Sequence, residues 1–120
     1  MPVFVLDWEI CHLGVRPVDV GQTVAELYRI GLVRDDIDAG RWMLEGFAAG
    51  YGFVDDDFAF RALLHAGAFL VVSGVFVVGW DTHPEGHARL AAAKELVLRA
   101  WNRDHAWFEA TELACLFVAE

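Results

Sequence analysis

Residues 58–80 read FAFRALLHAGAFLVVSGVFVVGW, and the fold turns on what this stretch becomes. Arg61 and His65 interrupt it, so the unbroken apolar run begins at Ala66. That run is shorter than the roughly 20 residues a bilayer crossing needs, which predicts a helix buried in a protein core and no membrane partner. Asp55, Asp56 and Asp57 stand directly before it, where carboxylates suit the positive end of a helix dipole. Gly67 and Gly74 lie inside. Each costs about 1 kcal/mol relative to alanine in a helix, so a close helix contact or a break is expected there. Stripped of packing partners, the same stretch would be an aggregation hazard.

Helical patterns continue on both sides. Upstream, Asp35, Asp36 and Asp38 lead into a helix reaching about Gly50, with Trp42, Met43, Phe47 and Tyr51 as its apolar side and Tyr51-Gly52 as its end. Before that, Asp19 is a candidate N-cap. Val20, Val24, Leu27 and Tyr28 follow at helical spacing to about Ile30, and Gly31 is the expected stop. Downstream, residues 80–86 form a loop with Thr82 or His83 as cap and Pro84 in the first turn. A helix from about Glu85 to Trp101 then has Glu85/Arg89 and Glu95/Arg99 as i,i+4 pairs. Asn102-Arg103-Asp104 is a turn, and a last helix is expected from His105 to Phe117. Trp42, Trp80, Trp101 and Trp107 are expected in the core.

Val3 to Leu6 is a short β-branched and aromatic run ending at Asp7, which reads as one strand. A single strand cannot satisfy its own backbone groups, so its partner is expected from another chain or from sequence before residue 1. The fold class is therefore expected to be mainly α, one short N-terminal strand followed by about five helices, in a single domain over residues 1–120.

Composition narrows the function classes. The chain of 120 residues is 57% hydrophobic and carries a formal charge of −9. Disorder is excluded by the apolar content, and the acidic field disfavours nucleic acid and anionic membrane as partners. Cys11 and Cys115 form no CxxC pair and are expected as two buried free thiols. The N-terminus has no basic region or cleavage site of a secretory signal, which gives a cytoplasmic expectation.

The richest chemistry lies in residues 3–28, VFVLDWEICHLGVRPVDVGQTVAELY. A strand ending in Asp7-Trp8-Glu9 delivers carboxylates to a sheet edge, and a Gly/Pro loop leads to Asp19 at a helix start. From spacing alone the plainer reading comes first: Asp7 ends a strand and Asp19 caps a helix. The order Asp7-Trp8-Glu9, Gly14, Pro17, Asp19-Val20 resembles the aminoglycoside phosphotransferase and choline kinase-like family, with Val15 and Arg16 departing from its usual Gly-Asp-Pro. ELYRI, MLEGFAAGYG and FRALLHAG are similar to its helical subdomain, so the resemblance extends along the chain while its specific motif stays in the first third. It implies the C-terminal helical subdomain of a protein kinase-like fold and ATP- or GTP-dependent phosphorylation of a small-molecule hydroxyl. Asp7 would bind magnesium on the nucleotide phosphates, Asp19 would brace the catalytic loop, and Glu9 would have no firm role.

Other parts of that machinery are missing from these 120 residues. They contain no H-x-D-x-x-x-x-N loop, no Gly-rich phosphate loop and no strand-borne lysine; Lys94 falls in a surface helix. Phosphoryl transfer needs several groups acting together, so little or no standalone catalysis is expected. The chain would be a truncation, a relic or a repurposed helical domain, with a missing N-terminal lobe or a second copy as partner. Two alternatives remain open. One is a non-enzymatic binding or dimerisation module. The other is a small metal-dependent enzyme built on Asp7, Glu9 and His12, or on Asp81, His83 and His87 in WDTHPEGH. Pro84 and Gly86 loosen the second set, and a solvated helix entrance explains it more simply. His65 is expected in the core.

Overall fold

Five α-helices make up most of the described chain: α1 (Arg16–Arg34), α2 (Ile37–Tyr51), α3 (Asp56–Ser73), α4 (Pro84–Trp101) and α5 (His105–Glu109). They come from a computed structural model that describes residues 2–6, 13–34 and 36–117. α3 continues as a π-helical turn over Gly74–Val78, and a 3-10 segment, Glu112–Phe117, follows α5.

The apolar stretch that opened the sequence reading is the central helix. Leu63, Ala66 and Leu70 of α3 are fully buried, as are Val24 of α1, Leu44 of α2, Leu96 of α4 and Phe108 of α5. Glycine sets how closely the helices approach. A Cβ at Gly21 of α1 would lie 2.5 Å from the Ala62 carbonyl oxygen of α3, and one at Gly67 of α3 would lie 3.0 Å from the Val97 amide nitrogen of α4. Gly40 of α2 would place a Cβ 3.3 Å from the Gly31 Cα of α1. Gly67 therefore marks the expected close contact. Gly74 marks the expected break, since the α-helix gives way to the π turn there and the Trp80 ring lies against its Cα.

The caps explain where the helices begin. Asp36 and Asp55 accept from the amides of Ala39 and Phe58 at 3.1 and 2.8 Å, which start α2 and α3 as the acidic runs suggested. His83 precedes Pro84 at the first position of α4. Arg103 sits at φ 51 in the turn after α4, donating to Asp57 at 2.5 Å with its guanidinium 5.5 Å from the Phe60 ring centre.

Several expectations are corrected. No strand occurs among the described residues. Val3, Phe4, Val5 and Leu6 are 89%, 81%, 58% and 80% exposed and have no regular structure. A β-prone tetrapeptide without a second strand has nothing to receive its ladder hydrogen bonds. Asp19 is not the N-cap of α1, because the helix starts three residues earlier at Arg16, with the Val15 carbonyl accepting from Val18. Gly31 does not stop α1, which runs on to Arg34 while Gly31 packs against α2. The last helix divides, with a turn at residues 110–111 between α5 and the 3-10 segment. Glu95 and Arg99 pair at 2.7 Å, but Arg89 donates to the Val33 carbonyl at 3.2 Å and has no ion pair with Glu85. His65 is exposed.

The tryptophans divide as well. Trp80 is buried, whereas Trp42 and Trp101 are 77% and 73% exposed. Asp56–Val78 is long and apolar enough to cross a membrane by length and composition alone, and 33% of its most apolar stretch is buried. The burial lies toward its N-terminal end; Val72, Phe76, Val77 and Val78 toward its C-terminal end are exposed.

Candidate functional site

A cleft of about 480 Å³ opens between α2, the N-terminal half of α3 and the 3-10 segment. Its construction follows from how α2 ends. Gly52 takes φ 102, a left-handed backbone value open to glycine, and its amide donates to the Ala48 carbonyl. The chain then turns through Phe53 and Val54 to the Asp55 cap, which places α3 alongside α2. Phe47 and Ala48 of α2, Phe58, Ala59 and Ala62 of α3, Val20 of α1 and Leu116 of the 3-10 segment line the space.

Polar groups are few. Tyr51, Glu45 and Cys115 line the cleft. The Tyr51 ring lies between those of Phe47 and Phe58, with centres 5.9 and 6.1 Å away. Arg16, the first residue of α1, donates from Nε to the Tyr51 hydroxyl at 2.9 Å. Its guanidinium carbon lies 5.4 and 5.3 Å from the Tyr51 and Phe58 ring centres, a cation–π arrangement. The start of α1 is thereby fastened to the cleft wall. On the 3-10 side, burial pushes the Cys115 thiol above its ordinary pKa, and the negative charge of Glu45 adds to the shift. A thiol in that setting is a weak nucleophile.

The site residues expected from sequence are distributed unevenly. Asp7, Glu9 and His12 lie outside the described residues, as does Cys11. Asp19 is exposed on the first turn of α1, three residues along from Arg16. Cys115 is half-buried, so the thiol expected in the core is a cleft residue. Asp81, His83 and His87 are all exposed. His87 Nε2 lies 3.0 Å from the backbone oxygen of Asp81, and the His83 carbonyl accepts from the His87 amide. Among the described residues no three His, Cys, Asp or Glu side chains come together as a metal-binding group. The WDTHPEGH segment is the entrance to α4, held by the His87 ring on the Asp81 carbonyl and by the His87 amide on the His83 carbonyl.

Sequence assigns no part in a site to Arg16, Glu45, Tyr51 or Cys115; Tyr51 reads there as the apolar end of a helix and Cys115 as a buried thiol. Arg16 appears there only as a departure from a motif. Glu45 and Cys115 are 70 positions apart in the chain, and no spacing rule brings them together.

Comparison with known proteins adds one relationship. The chain is similar to a phosphotransferase. It is 26% identical over 100 residues, 83% of its length, to Phosphotransferase FrzJ of Cladobotryum sp. The chain spans about a quarter of that relative's length, 26%. No family model matches the chain, and no solved structure matches it.

Proposed function

We propose that the chain is the helical, acceptor-side part of an ATP- or GTP-dependent phosphotransferase acting on a small-molecule hydroxyl. The observation that carries this reading is the similarity to a phosphotransferase along 83% of the chain. The Asp7-Trp8-Glu9 to Asp19-Val20 order and an apolar cleft fastened to the start of α1 support it. In this reading Asp7 is the magnesium ligand and Asp19, on the first turn of α1, braces the catalytic loop. The described residues alone do not fit a full cation shell. Magnesium on a nucleotide needs only one or two protein carboxylates beside phosphate oxygens and water, which leaves Asp7 as the chain's contribution. The bound ion would neutralise charge on the transferring phosphoryl group. Without an H-x-D-x-x-x-x-N loop and a nucleotide lysine, these 120 residues catalyse weakly or not at all by themselves.

Thermal-shift measurements with magnesium and ATP or GTP test the reading. Wild type is expected to show a magnesium-dependent rise in Tm that Asp7→Ala abolishes. An unchanged Tm, or an equal rise in Asp7→Ala, would contradict it.

A second reading, a non-enzymatic binding or dimerisation module, draws on one observation. Phe76 and Val77 of the π turn are 83% and 80% exposed beside Val72 and Val78. Exposed large apolar side chains close together in the chain are the material of an interface. Size exclusion with light scattering tests it: dimers support this module, and a monomer at all concentrations counts against it.

A further inference from the structure

We propose that the π turn Gly74–Val78 is a lipid-contacting tip that settles reversibly into the surface of a zwitterionic bilayer. From Ala66 to Trp80 the chain has no charged residue, and Asp56–Val78 is apolar enough to match lipid by composition. The buried side chains of α3 end at Leu70, so the first part of the helix is held in the core and only its end is free to meet a membrane. The reason is local. The buried Trp80 ring lies against Gly74, and the Trp80 amide donates to the Gly74 carbonyl at 2.7 Å, so the inner side of the turn is already filled. Phe76 and Val77 are left exposed, with exposed Val72 four residues before Phe76 on the same face. The expectation of no membrane partner rested on burial of the whole stretch, and this end escapes it. Charge decides between lipid and a second copy. The ionic groups that follow the turn are Asp81 and Glu85, with His83 and His87 beside them in the chain, and then Arg89. Arg89 donates to the Val33 carbonyl at the end of α1, next to Arg34. The two carboxylates and two guanidiniums cancel, so they draw no anionic headgroup, and the −9 of the whole chain repels one. Two copies carrying that charge also repel each other. A zwitterionic surface opposes neither charge and takes apolar side chains at the boundary of headgroup and acyl chain. These few side chains bury less than one acyl chain does, so binding is weak and reversible. The inference does not rest on the phosphotransferase reading.

Vesicle cosedimentation at low ionic strength tests the assignment. Wild type is expected to pellet with phosphatidylcholine vesicles, to pellet less with phosphatidylglycerol vesicles, and to stay in solution without lipid. Phe76→Ser/Val77→Ser, checked for unchanged circular dichroism and Tm, is expected to bind phosphatidylcholine about a hundredfold more weakly. A second readout keeps the turn apolar. In a Cys11→Ser/Cys115→Ser background, Val77→Cys carries the environment-sensitive fluorophore NBD, and Gly46→Cys on the open side of α2 carries the same label as a control. Phosphatidylcholine is expected to shift the emission to the blue at position 77 and to leave position 46 unchanged. No binding to phosphatidylcholine, stronger binding to phosphatidylglycerol, or equal blue shifts at both positions would overturn the proposal. So would a wild-type dimer that ignores vesicles and becomes monomeric in the double variant, because a second copy then covers the turn.

Discussion

At Gly86, a Cβ would collide with the backbone of Trp80, and backbone cannot rotate away. At Gly46, on the open side of α2, a Cβ would meet nothing within 4 Å. Gly86→Ala is expected to destabilise the fold by about 1–3 kcal/mol through overpacking. Gly46→Ala is expected to stabilise it by about 0.4–1 kcal/mol through helix propensity and a less flexible unfolded chain. Urea denaturation of the two variants checks both signs. Tyr28 gives a pH dependence. Burial, with the Glu112 charge behind it, pushes its phenol from the ordinary 10.0 up to about 12. Below pH 10 the phenol is neutral in folded and unfolded chains, and the stabilisation is intact. Between pH 10 and 12 the unfolded chain gives up the proton more readily, so stability falls. Wild type is expected to lose more stability across this window than Tyr28→Phe, measured by urea midpoints; parallel curves would contradict the assignment. Glycines at Gly67 and Gly74 announced a contact or a break from sequence alone, because their cost in a helix asks for a reason; the structure makes the first a contact and the second a break. The role of Gly31 was hidden, since a helix stop and a helix–helix contact require the same missing side chain.

At the scale of elements, the helices were legible where charge and hydrophobicity agreed. The acidic runs at Asp36 and Asp55 cap α2 and α3, and Pro84 opens α4. The strand at Val3–Leu6 was misread because β-branched composition describes what a residue prefers once a neighbouring strand exists. None exists among the described residues, and the four side chains stay exposed. The tryptophans of α2 and α4 failed for a related reason: Trp42 and Trp101 have the composition of core residues but face outward. The same holds for Phe76 and Val77 on the π turn. Replacing both with serine removes exposed apolar area and touches no buried residue. Under the dimerisation reading, the double variant is expected to be monomeric in light scattering where wild type is dimeric, with little change in Tm. Equal self-association would show that this turn is not the adhesive surface.

Across the whole molecule, α3 is the axis against which α1 and α4 pack; its apolar run announced a core helix but not its partners. The cleft was not legible. It needs α2, α3 and the 3-10 segment together, and Glu45 meets Cys115 only through tertiary structure. The relationship to a phosphotransferase was legible from the order of Asp7, Gly14, Pro17 and Asp19, and 26% identity to one such protein agrees with it at that coarse level. In the proposed function, nucleotide and magnesium bind through Asp7, in the segment that leads into α1. Amide NMR during titration with magnesium–ATP tests this directly. Shifts are expected to gather on residues around Asp7 and on the first turn of α1, from Arg16 to Asp19, and to vanish when magnesium is withheld. Shifts confined to α4, or none at saturating nucleotide, would contradict it.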